Sequence, residues 1–458
     1  MDDYANSLLK EAFAHHNAGD FDKAEVIYNQ LLNRAMGNAQ LLYLLGDIYC
    51  RRGFNGLACN ILHTSLALDP KRQEAWINLG VAFKREHQNE LAEHAWMKAL
   101  ELGGNIEIYS NMSTLYADTG QPKKALEWLD KALTMDSTHW ESHWNRGLAL
   151  LSLRQWKEGW SEYARRANMP KWDLRSEIDA PKWDGSPGKT IYVHGEQGVG
   201  DEVMFLSCIP DLLKRNCTPV LEVHKKLEGL IKATWPDLQV FTNAKAAAEA
   251  GIKVDAKIGL GELPGLFRNE TAEFPGKAYL KPDPALVGYY RERLARLGPG
   301  PYIAVAWMGG MKTTRIHERS FDPFHYTPLM SVGTVVCAQY GDLAPQEAEE
   351  NGMPVIDDES RGADLHAQAA LFAACDCVVT VVQTAVHIAG AVGTPAYVLT
   401  PMRPSWRYGV EGFAMPWYKS VRLFRQTFDN DWGQVIAQVT TKVENDFGRV
   451  SQTQRRTA

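Results

Sequence analysis

The chain has 458 residues, 45% of them hydrophobic, which is enough for roughly two to four domains with packed cores. A formal net charge of −6 argues against bulk nucleic-acid binding, and no apolar run reaches the length of a membrane span. Residues 1–10 lack the basic start and apolar core of a signal peptide, and the seven cysteines form no CxxC pair, so buried free thiols in a reducing cytoplasm are expected rather than disulfides or a metal site.

Residues 1–168 repeat with a period of about 34 residues. Gly19, Gly53, His87, Gly120 and Arg154 share one phase, each at the turn between two helices. Ala24, Ala58, Ala92, Ala125 and Gly159 keep a second phase, and Ala12, Gly46, Gly80, Ser113 and Gly147 a third. Small residues there let paired helices approach closely. The pattern resembles the tetratricopeptide repeat (TPR) and implies five helical hairpins in a solenoid. The concave face of such arrays binds a peptide or protein, although a spacer or dimerisation module has the same sequence pattern. Asn78, Asn111 and Asn145 recur near the repeat spacing and are candidates to hold a peptide backbone.

Residues 169–187 carry Pro, Gly, Asp and two tryptophans, Trp172 and Trp183, a composition suited to an ordered connection rather than a flexible tether. Strand–helix alternation then begins, with a first α/β half over residues 188–298. A strand at 190–194 is followed by the loop GEQGVG and a helix at 201–214. The loop reads GxxGxG rather than GxGxxG, and GxxxxGK[ST] is absent, which disfavours a nicotinamide-cofactor site and a P-loop. What the loop offers is a set of protonatable side chains at a strand end: His194, Glu196, Asp201 and Glu202. Asp201 falls in the first helical turn, where it reads either as a helix-start cap or as a functional carboxylate. Strands at 220–223, 239–241 and 256–260 and a helix at 284–297 lead to Gly-Pro-Gly-Pro at 298–301, a domain boundary.

The second α/β half, 299–427, opens with a strand at 302–307 running into MGGMKTTRIHERSF. Lys312, Arg315, His317 and Arg319 cluster there, at a strand's carboxyl end, and can neutralise a diphosphate by charge-assisted contacts or form a solvated surface loop. Strands at 334–339, 354–356, 377–381 and 396–400 complete a second Rossmann-like sheet. Between the last two, Gln383 and Thr384 precede a small-residue helix at 385–392 that stops at Gly393. Thr384 suits the cap position, and the free N–H groups of the helix start suit a phosphate; the bland alternative is a βαβ unit without a ligand. PMRPSWRYG, MPWYKSVRLFRQ, a helix at 432–444 and a polar tail follow, the last two within residues 428–458.

Two Rossmann-like halves facing a cleft, with a terminal helix after the second, look like the GT-B glycosyltransferase fold, giving an α plus α/β chain with the TPR solenoid first. HGEQGVGDEVMF, QTAVHIAGAVGTP and WRYG with MPWYKSVRLFRQ resemble bacterial TPR glycosyltransferases, relatives of heptosyltransferases and, more distantly, of O-linked N-acetylglucosamine transferases. The resemblance implies an inverting glycosyltransferase of hexosyl or heptosyl type with Asp201 as general base, Glu196 and His194 being the alternatives. It implies that Lys312, Arg315, Arg319 and Ser320 hold the diphosphate and that Gln339 and Tyr340 lie near the nucleotide base. Gln383, Thr384 and His387 would receive the phosphates and donor sugar, and Trp406 of the WRYG motif is counted with the donor-binding residues. No cofactor or metal is implied beyond the nucleotide-diphosphate sugar. Heptosyltransferases carry Asp-Thr where this chain has Gln383-Thr384, so a UDP-sugar is favoured over ADP-heptose. The repeats point to a macromolecular acceptor, a protein first, with a glycan or nucleic acid after it. The rival from another class is a catalytically inactive scaffold whose repeats bind a partner protein.

Overall fold

The computed structural model describes residues 3–34, 37–168, 178–310, 316–356, 358–427 and 431–448. The chain divides into two compact units, Met1–Ala149 and Leu150–Ala458.

The first unit is built from helical hairpins: α1 (Asp3–Asn17) with α2 (Phe21–Arg34), α3 (Ala39–Arg52) with α4 (Asn55–Leu68), α5 (Gln73–Arg85) with α6 (Asn89–Leu102), and α7 (Ile106–Asp118) with α8 (Pro122–Met135). A fifth pair, α9 (Trp140–Ser152) and α10 (Trp156–Ala164), ends the TPR solenoid, and the division between units falls within α9. The turns explain the first repeat phase. Gly19, Gly53 and Gly120 take left-handed backbone at φ +78°, +80° and +74°, a region that costs glycine little. His87 and Arg154 adopt the same region at φ +60° and +61°, so the hairpin imposes the conformation even where the side chain opposes it. The second phase is buried, since Ala24, Ala58, Ala92 and Ala125 are fully covered. The third is a close approach, with Gly46 lying on Leu62 and Gly80 on the Trp96 indole, whose Nε1 donates to the Ile77 carbonyl at 3.0 Å. Of the three asparagines, Asn78 donates to Asp47 Oδ1 at 2.9 Å and so is engaged within the array, while Asn111 and Asn145 are half-buried.

The second unit contains two sheets. In the first, β1 (Thr190–His194), β2 (Thr218–Glu222), β3 (Gln239–Phe241) and β4 (Ala256–Gly259) are parallel in the order β3-β2-β1-β4. Its helices are α11 (Val199–Phe205), α12 (Ile209–Lys214), α13 (Glu228–Thr234), α14 (Ala244–Glu249), α15 (Pro264–Phe267) and α16 (Pro284–Leu297). The second sheet contains β5 (Tyr302–Ala306), β6 (Thr334–Cys337), β7 (Cys377–Val381), β8 (Ala396–Thr400), β9 (Ala414–Met415) and β10 (Tyr418–Arg425), in the order β6-β5-β7-β8-β10-β9. All its pairings are parallel except β9 with β10. Its helices are α17 (Ala344–Glu350), α18 (Leu365–Ala374), α19 (Thr384–Val392) and α20 (Trp432–Phe447). β7 and β8 are buried along their whole length, as apolar β-branched runs in a covered parallel sheet require. Strand order reverses at β1/β4 in one sheet and at β5/β7 in the other, and the loops leaving those strand ends diverge to leave a crevice.

Three expectations about secondary structure need correction. The helix expected at 201–214 is α11 and α12, joined by a 3-10 turn, because Pro210 has no N–H to continue the ladder. The strand expected at 354–356 is a single bridge between Cys337 and Val355. β9 and β10 were not expected; along β10, exposed Lys419 and Arg422 alternate with buried Tyr418, Val421 and Leu423, so the segment reads as basic although one face is core. The boundary expected at residue 168 follows the repeats, but packing divides the chain earlier. Trp156 and Trp160 of α10 donate to Thr271 Oγ1 and the Arg268 carbonyl, both at 2.8 Å, and join Phe274, Trp406 and Trp417 in one aromatic cluster. In the connection, Trp183 is buried and donates to the Ser186 carbonyl at 3.0 Å, while Trp172 lies outside the described residues. Six cysteines are buried, Cys59 is half-buried, and none is in a disulfide. Among the described residues no helix is long and apolar enough to cross a membrane.

Gly80→Ala tests the close approach in the repeats. The added methyl would stand 2.4 Å from Trp96 Nε1, and the fully buried indole has no room to retreat without losing its bond to Ile77. Overpacking of about 1–3 kcal/mol should outweigh a helix-propensity gain of about 1 kcal/mol, so urea denaturation should show net destabilisation. Unchanged or raised stability would mean that the helices are not in contact there.

Candidate functional site

The two crevices meet in a cleft of about 470 Å³, and its walls come from both halves of the second unit. From the first half come the start of α11 and Lys226. From the second come Gly310 and Arg319 after β5, Tyr340 after β6, residues 382–385 and His387 at the start of α19, and Ser405, Arg407 and Tyr408 after β8. Two glycines set the spacing. A Cβ on Gly200 would lie 3.3 Å from both Thr384 Oγ1 and His387 Cδ2, so α11 begins directly on α19. A Cβ on Gly309 would meet the Val382 carbonyl at 2.8 Å, so the loop leaving β5 is pressed onto the end of β7. Lys226 Nζ donates to the Gly362 carbonyl at 2.8 Å across the cleft lining, and outside it the Asp283 N–H donates to His366 Nε2 at 3.0 Å, tying the halves together.

Asp201 faces this cleft and does not cap its helix: Gly198 holds the cap position, and the Asp201 carboxylate reaches across to the second half. Arg407 donates from Nε to Asp201 Oδ1 and sets Nη2 against the same oxygen as an ion-pair contact, and its Nη1 donates to Ser405 Oγ at 3.4 Å. The pair is mostly withdrawn from water, at 18% exposure for Arg407 and 15% for Asp201. Burial works against the Arg407 charge, but the Asp201 carboxylate together with Tyr163 and Tyr408 more than offsets it, so the guanidinium is held in its charged form. Thr384 is likewise not a cap. It is the first residue of α19, while Gln383 sits at the cap position in extended backbone and spends its amide on Thr380 Oγ1 at 3.0 Å. The N–H groups of the first turn of α19 are therefore left without a side-chain cap, and they open on the cleft beside Thr384.

His387 is buried between two tyrosines, with Nδ1 3.3 Å from the Tyr418 hydroxyl and Nε2 3.4 Å from that of Tyr408. Burial first, and the Arg407 charge second, push its pKa down to about 3, so the ring is neutral and acts as a spacer between hydroxyls. Beside Asp201, Glu202 turns away from the cleft and accepts the His224 N–H at 2.8 Å. Burial, then the charges of neighbouring carboxylates, raise its pKa to about 7.

Several expected site residues lie elsewhere. Glu196 is buried in a two-pronged ion pair with Arg166, at 3.0 and 2.5 Å, and accepts the Gly261 N–H at 2.6 Å; it braces the loop and does not line the cleft. His194 is also buried outside the cleft lining, and burial lowers its pKa, so neither is placed as a base. Gln339 is fully buried, with Oε1 accepting the N–H groups of Trp307 and Met308, both at 2.9 Å, and its amide donating to the Tyr340 carbonyl. It therefore fixes the end of β5, and of that pair only Tyr340 is presented to the cleft. Ser320 accepts the Gly309 N–H at 3.3 Å and supports the loop from behind. Trp406 packs edge-on against Trp160 and against Tyr163 and is not among the residues lining the cleft. Lys312 and Arg315 lie outside the described residues.

Sequence reading missed Arg407 and Tyr408, which stand next to Trp406 in the same motif. The available signal was a basic residue just past the carboxyl end of a parallel strand, where ligands of such sheets bind. Arg166 was missed because its partner Glu196 was weighed as a catalytic group.

A family model described as tetratricopeptide repeat matches residues 106–139, which span α7 and α8. The chain carries TPR repeats. Protein FlbA of Caulobacter vibrioides is 29% identical over 435 residues, covering 86% of this chain and 72% of that protein. Among solved structures, MamA aligns at 23% identity over 34% of this chain and 92% of its own, with a TM-score of 0.32. A thermophilic TPR protein of Thermus thermophilus aligns at 19% identity over 37% and 93% of the two chains, also at 0.32.

Two predictions separate structure from chemistry here. Glu196→Ala leaves Arg166 buried without a partner and should cost about 3–5 kcal/mol in chemical denaturation; a loss of turnover with stability intact would restore Glu196 as a candidate base. For Glu202, the folded protein keeps the proton up to about pH 7, whereas the unfolded chain releases it near 4.5. Its contribution to stability is thus fully present below pH 4.5 and is lost as pH rises through 7. Glu202→Gln keeps an acceptor for His224 and should be more stable at pH 8 by up to about 3 kcal/mol, with a flatter profile between pH 5 and 8. Superimposable pH profiles of wild type and variant would remove this account.

Proposed function

We propose that the second unit is a GT-B glycosyltransferase body that transfers a sugar, with inversion, from a nucleotide-diphosphate donor to a macromolecular acceptor recruited by the TPR repeats. The observation that carries this reading is the disposition of charge across the cleft. A carboxylate on one half, Asp201, faces a helix start and two arginines, Arg319 and Arg407, on the other. Inverting transfer needs that division: a base for the acceptor on one side, and stabilisation of a departing anion on the other. Asp201 takes the proton of the acceptor hydroxyl as its oxygen forms the bond to the anomeric carbon. The bond from that carbon to the diphosphate oxygen breaks, and the electron pair leaves with the nucleotide diphosphate. The amides at the start of α19 and the guanidinium of Arg319 receive the developing charge. Lys312 and Arg315, between β5 and Arg319 in the chain, are assigned to the same task. A UDP-sugar remains the favoured donor, because Gln383 is committed to Thr380 and supplies no carboxylate for sugar hydroxyls.

One observation favours the rival reading of an inactive scaffold: Arg407 occupies Asp201 Oδ1. Titration calorimetry with UDP, ADP and GDP discriminates between the two. Binding of one of them by the folded protein is expected, and binding of none would leave the scaffold. With a bound donor in hand, Asp201→Asn should leave nucleotide affinity intact or improved and lower turnover about 10²-fold or more, followed by intact mass spectrometry of acceptor and donor products. Wild-type turnover in that variant would remove Asp201 as the base.

A further inference from the structure

We propose that Arg407 is a diphosphate-binding residue and that the donor's diphosphate takes it from Asp201, so that the base is released only once the leaving group is seated. The inference rests on the nucleotide-sugar reading above and names a residue, and an order of events, which that reading does not contain. Three observations carry it. Arg407 hydrogen-bonds a single oxygen of Asp201 through one N–H, at Nε, with Nη2 only in ion-pair contact with that same oxygen, so the fork is not used in its two-pronged form. A diphosphate offers several oxygens and more negative charge to the same planar fork, the geometry for which guanidinium groups are best suited. Second, the exchange is short. Gly200 lies on Thr384, so its neighbour Asp201 and the fork it holds stand beside the first turn of α19, where Arg407, Thr384 and Arg319 line one cleft. Third, only the side chain has to move. Trp406 is fixed in the aromatic cluster around Trp160, and the Arg407 guanidinium lies 5.0 Å over the Trp406 ring, so the backbone of the loop is anchored while the fork can turn.

The consequence for the reaction is an ordering. A carboxylate oxygen that already accepts a guanidinium N–H bond and lies against a second guanidinium nitrogen gives up that stabilisation when it takes a proton, so it is a poor base while Arg407 stays on it. When the diphosphate draws the fork away, the oxygen facing the acceptor is free, and no proton or covalent bond changes hands in the exchange itself. Donor binds first, and deprotonation of the acceptor follows.

The test is a double-mutant cycle on nucleotide affinity, with UDP, ADP and GDP as the probes. Asp201→Asn removes the anion that competes for Arg407 and should tighten the bound nucleotide about 10-fold. In an Arg407→Gln background the same change should alter affinity less than about 2-fold, and Arg407→Gln alone should weaken binding about 10-fold or more. If Arg407→Gln does not fold, judged by circular dichroism and melting, Arg407→Lys replaces it, and Asp201→Asn should then gain less than about 3-fold because an ammonium cannot hold the fork. A 10-fold gain that persists without Arg407 would mean simple repulsion between Asp201 and the nucleotide, and would overturn the exchange. No gain in the wild-type background would overturn it as well. Binding of none of the three nucleotides by any folded variant marks a different failure, that of the nucleotide-sugar reading, and takes this inference with it.

Discussion

The constraint on which the site depends is the contact between two helix starts. Gly200 has no side chain, and a Cβ there would press on Thr384 and His387, so α11 and α19 can begin within van der Waals distance of each other. The small residues of α19 extend the effect: Gly390 lies on Tyr418, where a Cβ would stand 2.3 Å from the ring. The helix is thus squeezed between α11 and β10, and His387 is enclosed between the hydroxyls of Tyr408 and Tyr418. A charged imidazole has no hydration there, so the ring stays neutral. Close packing of the two helix starts, together with the Asp201–Arg407 ion pair, brings a carboxylate from one half and an arginine from the other to the same cleft.

Three carboxylates on the segment after β1 then meet three different fates. Glu196 is enclosed and neutralised by Arg166. Glu202 is enclosed without a cation and holds its proton toward neutral pH instead. Asp201 stays at the cleft edge with a cation that comes from elsewhere in the chain. Burial without a partner raises a carboxyl pKa, whereas burial with one keeps the charge at the cost of immobilising both groups. Only the third arrangement leaves an anion that a ligand can reach.

The sequence made some of this legible and hid the rest for definable reasons. Repeats announce themselves because the same backbone problem recurs: His87 and Arg154 were found at the glycine phase, and both take the left-handed turn that glycine takes elsewhere. Strands β1, β7 and β8 were read at their full extents because buried parallel strands are largely apolar runs with turn residues at both ends. β10 was lost because its outward face is charged and its pairing with β9 shifts register between Tyr418 and Arg422. Pairings between distant residues left no local trace at all. Nothing near Asp201 in the chain points to Arg407, and nothing near Gln339 shows that its amide will be consumed by the end of β5. Residue type and strand-end position identify candidates, but which of them face the cleft depends on those distant partners.

The brace behind Asp201 comes from α10, the last helix of the repeats. Its tryptophans are part of the core beside α15, and Arg166, just past its end, holds Glu196 while Tyr163 accepts from the Gln197 amide. Gln197 stands in left-handed backbone at φ +66°, unfavourable for a residue with a side chain, and it is held there by a contact with this helix. The loop that delivers Asp201 to the cleft is therefore shaped from two sides, by the α19 contact in front and by a repeat helix behind. An α/β unit cut at residue 168, where the repeat pattern fades, would lose that rear support. Its Glu196 would be left as a buried carboxylate without a cation, which is costly in a core and relieved only by protonation or by opening the loop. The last repeat helix thus belongs to the architecture of the site.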